Sequence, residues 1–250
     1  MLFAEIGKRE NPCVLLIHGM GMDFQKTFSC VIESLKNNYY ICIPLWEDGV
    51  FENIEKIAKE IGGELKKRKI KIIEFAYGIS LGGTILVELI ANNEIKIVKV
   101  VLDGAQVNDR RCFPYLQGLM IAKQYANLQK GKNIFYPIMV QMGYKGKAYI
   151  DMWNKVINKN VSFKSLVNEA TACYSYTVKE SMKNLGNVDS YFFVGSNEPY
   201  AKHTLMSLKK YAPHIHEVEF PECGHIEAIV NKSSQITEQI NLIISGTLNE

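Results

Sequence analysis

Twelve consecutive residues, Ile72-Ile73-Glu74-Phe75-Ala76-Tyr77-Gly78-Ile79-Ser80-Leu81-Gly82-Gly83, constrain the fold more than any other part of the chain. An apolar strand runs directly into Gly78-x-Ser80-x-Gly82, and a helix-forming run, Thr84 to Ile90, follows. A serine hydroxyl is a poor nucleophile in an ordinary position. A sharp strand-to-helix turn lifts it clear of the backbone, where a base can reach it, and glycines flank it because a Cβ would clash inside such a turn. The helix starting there also aims its free N–H groups and positive dipole end at the reacting oxygen. The pentapeptide is weak evidence without its flanks. Its alternative reading is a glycine-rich turn with an incidental serine.

A nucleophilic serine needs a base, and the base needs an orienting group. Of five histidines, His225 stands in Phe220-Pro221-Glu222-Cys223-Gly224-His225, just beyond the alternation Glu217 to Phe220, so it is expected on a loop at the end of a late strand. Glu198 stands in Phe192-Phe193-Val194-Gly195-Ser196-Asn197-Glu198-Pro199, again just past a strand. The chain order is Ser80, Glu198, His225. Asp103 is a rival for the acid, because it ends the strand of Val101-Leu102-Asp103-Gly104. The bland readings are a surface-loop histidine, a solvated glutamate and, for Asp103, a polar group that organises a turn.

Near the start, Cys13-Val14-Leu15-Leu16-Ile17 reads as a buried strand ending in His18-Gly19-Met20-Gly21-Met22-Asp23. A tetrahedral intermediate places negative charge on oxygen, and two converging backbone N–H groups are the usual way to hold it. The N–H groups of Leu81 and Met20 are the expected donors. His18 is read as supporting the loop and not as catalytic.

On His18-Gly19-Met20-Gly21, Gly78-Ile79-Ser80-Leu81-Gly82-Gly83, Gly195-Ser196-Asn197-Glu198 and Gly224-His225, the chain resembles the α/β-hydrolase superfamily. The pieces span residues 13–225 in family order, and the later ones resemble a bacterial branch in which glutamate, not aspartate, follows the late strand. The resemblance implies a Ser80–Glu198–His225 triad and a mostly parallel central sheet flanked by helices. It implies no particular substrate, since the fold hosts many chemistries. Two departures bear on substrate class. Only twelve residues precede Cys13, room for one short strand at Leu2 to Ile6, so the N-terminal strands are reduced; and Pro44-Leu45-Trp46-Glu47-Asp48-Gly49-Val50 replaces the Asp-x-x-Gly-x-Gly loop of many relatives.

Strands and helices alternate up to residue 105, which demands parallel strands joined by crossovers. The expected elements are strands at Cys13–Ile17, 39–44, 72–76 and 98–102, with helices around 24–37, 53–67 and from the turn to about 92. From residue 107 to about 184 the alternation gives way to helical periodicity. It resumes with strands at 191–194 and 218–220 and a final helix near 234–244. The expected organisation is therefore a core domain of residues 1–106 and 185–250, with residues 107–184 as a helical cap inserted after the sixth strand position of the fold. The cap is rich in aromatics and methionines: Phe113, Tyr115, Met120, Tyr125, Phe135, Tyr136, Met139, Met142, Tyr144, Tyr149, Met152 and Trp153. Most are expected to pack the cap on the sheet, and a minority to line an apolar substrate pocket.

At 250 residues, 47% hydrophobic and 22% charged, the chain suits one large α/β domain. A net charge of +3 implies no general affinity for polyanions, and Lys66-Lys67-Arg68-Lys69 reads as a solvated helix end, not a nucleic-acid patch. The cysteines at 13, 30, 42, 112, 173 and 223 form no Cys-x-x-Cys pair and read as reduced small hydrophobes. Neither a signal peptide nor a membrane span is visible, so a cytoplasmic location away from membranes is expected. The expected activity is hydrolysis of an ester or thioester with an apolar acyl or alcohol part, without cofactor or metal and with a small-molecule substrate as partner. A carbon–carbon bond hydrolase or an acyltransferase would use the same site. A non-hydrolytic binding or sensor protein is the alternative of another class. Neither substrate identity nor oligomeric state is read from the sequence.

Overall fold

The computed structural model describes residues 1–110, 113–132, 134, 136–146 and 148–247, except for the side chain of Tyr136. Cys112 and Phe135 lie outside the described residues. In chain order the first half comprises β1 (Leu2–Ile6), β2 (Cys13–Ile17), α1 (Phe24–Thr27), α2 (Ser29–Leu35), β3 (Tyr40–Leu45), α3 (Ile54–Lys67), β4 (Ile72–Ile79), α4 (Leu81–Ala91) and β5 (Lys96–Asp103). Helices α5 (Pro114–Gln129), α6 (Tyr136–Gln141), α7 (Ala148–Val156) and α8 (Phe163–Ser175) follow, then a 3₁₀ helix (Glu180–Asn187). The chain closes with β6 (Asp189–Gly195), α9 (Pro199–Lys209), β7 (His216–Phe220), α10 (Glu227–Asn231) and α11 (Ser233–Ser245).

The strands form one seven-stranded sheet in the order β1-β3-β2-β4-β5-β6-β7. All pairings are parallel except β1 with β3, where the single N-terminal strand lies antiparallel on the edge. Strand β2 is buried at all five positions, as a short apolar run covered on both faces must be. Helix α3 buries Ile54, Ile57, Ala58, Ile61 and Leu65, the i, i+3, i+4, i+7 stripe of an amphipathic helix, and Asn53 caps it by accepting from Lys56 N–H at 2.8 Å. It ends at Lys67, where cations suit the helix dipole.

The register aligns the C-terminal ends of the strands. Ile17 pairs with Gly78, Ile79 with Asp103, Asp103 with Phe193, and Gly195 with Phe220. The residues just past β2, β4, β5, β6 and β7 therefore emerge along one edge of the sheet. The strand order reverses between β2 and β4, and in open α/β sheets ligands bind at such a reversal, outside the carboxyl ends of the strands.

Two expected elements differ in detail. The helix expected over 24–37 breaks at Phe28, whose backbone leaves helical geometry (φ −96°, ψ 9°) while its ring is buried edge-on to Tyr77, 5.7 Å between centroids. Strand β4 runs three residues beyond Ala76, because its pairing with β5 continues to the serine turn. Of the aromatics and methionines between β5 and β6, Met139, Tyr144, Tyr149, Met152 and Trp153 are buried, whereas Phe113, Tyr115 and Met120 face solvent. The described cysteines are free thiols, and Cys30 is exposed where a buried hydrophobe was expected.

Candidate active site

Ser80 occupies the turn between β4 and α4 with φ 53° and ψ −115°, a backbone conformation that costs a non-glycine residue about 1–3 kcal/mol. The turn is held because Ser80 N–H donates to the Asp103 carbonyl at 2.7 Å and Thr84 N–H to the Ser80 carbonyl at 3.1 Å. The flanking glycines are sterically required. A Cβ on Gly78 would strike the Gly82 backbone, and one on Gly82 would strike the carbonyl of Ile17 on the neighbouring strand.

His225 Nε2 lies 2.9 Å from Ser80 Oγ, and its Nδ1 is hydrogen-bonded to Glu198 Oε1. Glu198 is anchored in turn, its Oε2 accepting from Gly195 N–H at 3.2 Å within the Gly-x-x-Glu turn that follows β6. The histidine loop is fixed from the inserted segment: His225 N–H donates to the Met142 carbonyl at 2.8 Å, and the Tyr144 hydroxyl donates to the His225 carbonyl. Burial pulls the imidazole pKa down. The charge and hydrogen bond of Glu198 and the charge of Asp103 outweigh it and hold the pKa above the usual 6.5.

Asp103 is buried at the end of β5, and its Oδ2 accepts from the Tyr77 hydroxyl at 2.6 Å. It makes no hydrogen bond to His225 among the described residues. Burial pushes its pKa up to about 7 against the pull of the Tyr77 hydrogen bond.

Met20 and Leu81 line the same cavity as Ser80 and His225. The loop bearing Met20 passes so close that a Cβ on Gly19 would lie 3.4 Å from Ser80 Cβ. Leu81 opens α4, where backbone N–H groups have no partner within the helix. His18 lies against Trp46 (ring centroids 4.3 Å apart) with Nδ1 2.9 Å from the Gly19 carbonyl, contacts within and beside its own loop.

A second layer escaped the sequence reading. Glu169, buried in α8, accepts from Gly21 N–H at 3.2 Å, Trp46 Nε1–H at 3.1 Å and Ser165 Oγ–H at 3.0 Å. Burial raises its pKa to about 7 although all three donors favour the ionised form. The role of Glu169 at the loop after β2 is not marked locally in the sequence, because Gly21 and Trp46 are 148 and 123 residues away from it. For Tyr144 the only signal was its place in an aromatic-rich stretch.

No protein-family model matches the chain, and no curated protein matches it. Solved structures do. A putative alpha/beta hydrolase family protein from Desulfitobacterium hafniense is 25% identical, with 97% of this chain and 100% of that one superposed at a TM-score of 0.88. A carboxylesterase structure from Nitrososphaera gargenis is 14% identical over 99% of this chain and 96% of that one, with a TM-score of 0.74. MenH from S. aureus is 15% identical over 98% of each chain, also with a TM-score of 0.74.

Proposed function

The chain belongs by fold to the α/β-hydrolase superfamily, and on that premise we propose that it is a serine hydrolase cleaving an ester or thioester with an apolar acyl or alcohol part. The observation that carries this reading is the continuous relay from Ser80 Oγ through His225 to Glu198. Ser80 Oγ attacks the substrate carbonyl carbon as His225 Nε2 takes its proton. Glu198 fixes the imidazole tautomer and stabilises the imidazolium. The Met20 and Leu81 N–H groups hold the oxyanion. The tetrahedral adduct collapses, the carbon–heteroatom bond breaks, and the alcohol or thiol leaves with the proton from His225. Water, deprotonated by the same base, then hydrolyses the acyl-enzyme.

Residues 107–184 form the cap in this reading. Ile121, Tyr125, Met142, Ala170 and Cys173 from this segment line the cavity over Ser80, where excluding water strengthens the electrostatics of the site.

The test is a small alkyl fluorophosphonate, which phosphonylates an activated serine with loss of fluoride, together with turnover of p-nitrophenyl acetate. Wild type should label and turn over, and Ser80→Ala should do neither while keeping its circular dichroism spectrum. A folded wild-type protein that fails to label is a binding protein and not a hydrolase. Labelling undiminished in Ser80→Ala would move the nucleophile elsewhere.

A further inference from the structure

We propose that the outward face of helix α5 is a docking surface for an anionic lipid bilayer. Docking there does not depend on the chemistry at Ser80.

Residues 110–150 contain seven Lys or Arg and no Asp or Glu, whereas a soluble surface ordinarily mixes both signs. Helix α5 lies within this stretch. Its inner face is fully engaged: Gly118, Ile121, Ala122, Tyr125 and Leu128 are buried, and Ile121 and Tyr125 line the cavity over Ser80. On the opposite face a solvated helix carries polar or charged residues. Helix α5 instead exposes Leu116 (55%) and Met120 (37%) there, one turn apart, and then Lys123 and Lys130. Positions 116, 120, 123, 127 and 130 recur at three- and four-residue spacing, so they stack along one side. At 1.5 Å per residue the stripe is about 21 Å long. Phe113, just before the helix, is 77% exposed and extends the apolar end. The face is therefore apolar at its start and cationic at its finish, and exposed Lys132 and Lys145 follow in the chain.

The side-chain types select the partner. A nucleic acid would engage the cations, but Leu116 and Met120 offer it neither a stacking plane nor a hydrogen bond. Protein interfaces are ordinarily depleted of lysine, and lysine supplies the charge of this helix. A bilayer uses both parts of the stripe. The apolar side chains enter the boundary between headgroups and acyl chains, and the lysines reach anionic headgroups. Among the described residues no helix is long and apolar enough to cross a membrane, and docking on the surface requires none. It does depart from the location away from membranes expected from the sequence. A bilayer docked here lies on the outer side of the same helix whose inner side walls the cavity over Ser80.

The experiment is sedimentation of the full chain with vesicles of phosphatidylcholine alone, and of two parts phosphatidylcholine to one part phosphatidylglycerol. The protein should pellet with the anionic vesicles and not with the neutral ones. It should be largely released at about 1 M sodium chloride, where the Debye length is about 3 Å. Each cation near an anionic surface strengthens adsorption about fivefold, so Lys123→Glu with Lys130→Glu should weaken binding at least about twentyfold. Leu116→Asp with Met120→Asp should weaken it at least about tenfold, through loss of apolar burial. All four side chains face solvent, so both double variants should keep the wild-type circular dichroism spectrum. Ser80→Ala should bind vesicles as the wild type does, so this proposal and the hydrolase reading fail separately. Wild type that stays in solution with the anionic vesicles overturns the proposal. So does equal binding to neutral vesicles, or binding that either folded double variant leaves unchanged. A dimer in sedimentation velocity that Leu116→Asp with Met120→Asp dissolves would assign the face to a second copy of this chain and overturn the bilayer.

Discussion

Glu198 and Asp103 are both buried beside His225, yet their hydrogen bonds differ. Glu198 holds the imidazole Nδ1, whereas Asp103 holds the Tyr77 hydroxyl and acts on the ring through space only. Losing the orienting carboxylate leaves the base in the wrong tautomer, so Glu198→Gln should lower kcat by up to about ten-thousandfold. Asp103→Asn keeps the shape and should cost less than about tenfold. A steady-state comparison in which Asp103→Asn loses turnover and Glu198→Gln keeps it would reverse the roles. The pH profile carries a second readout. A base must be neutral to act, and the His225 pKa is held above 6.5, so the acid limb of kcat/KM should have its midpoint above 6.5 and move down in Glu198→Gln. Stability follows Asp103 with its own sign. Its folded pKa, about 7, lies above the usual 3.8 of the unfolded chain, so the folded state retains the proton longer. That contribution is full below about pH 4 and is lost as pH rises through 7. The fall in Tm of the wild type over this interval should therefore flatten in Asp103→Asn, as measured by scanning calorimetry.

Helix α8 meets the loop after β2 through Glu169, which accepts from Gly21 N–H, and through Leu166, which packs against Gly21; in the proposed reading this joins the cap to the oxyanion donors. Glu169→Ala would remove the carboxylate that accepts from the Gly21 N–H, the Trp46 Nε1–H and the Ser165 hydroxyl, and a buried group left unsatisfied costs about 1–3 kcal/mol. Tm should fall, and kcat should drop about 10- to 100-fold as Met20, adjacent to Gly21, loses its fixed position. The exposed Lys164→Ala on the same helix should change neither. A lower Tm with unchanged kcat at saturating ester would make Glu169 a packing residue without influence on the oxyanion loop. The same helix shows where the sequence stops being legible. Strand β2, helix α3 and the turn at Ser80 declare themselves because burial on both faces, a 3.6-residue stripe and steric need for glycine are local properties. Ser80, Glu198 and His225 were legible because each follows a strand, and parallel strands in register bring their ends together. Contacts such as Glu169 with Gly21 or Tyr144 with His225 depend on how the inserted helices dock, which no local period encodes. The break at Phe28 was hidden for the same reason, since its cause is a buried ring against Tyr77 on another element.

Charge is unevenly shared across the molecule. Residues 107–184 hold twelve Lys and Arg against four Asp and Glu, a balance of +8, which leaves −5 on the remainder of a chain whose total is +3. Lys123, Lys130, Lys132, Lys145, Lys155 and Lys159 of this segment are exposed. In the proposed reading this basic segment covers the serine site, while the remainder of the chain is net acidic. A field of this kind raises the encounter rate of anions and leaves neutral molecules unaffected. It is also screened: the Debye length shrinks from about 30 Å at 0.01 M salt to about 3 Å at 1 M. Hydrolysis of 4-acetoxybenzoate, whose leaving group carries a carboxylate, should therefore lose several-fold in kcat/KM between about 0.01 M and 1 M sodium chloride. Hydrolysis of neutral 4-nitrophenyl acetate should change by less than about twofold over the same range, because it has the same acyl group and no charge for the field to act on. Reversing two cap cations, Lys123→Glu with Lys130→Glu, should remove most of the salt dependence without altering 4-nitrophenyl acetate turnover, as neither residue lines the cavity over Ser80. Equal salt sensitivity for the two esters would mean that the cap charge serves solvation and does not steer substrate.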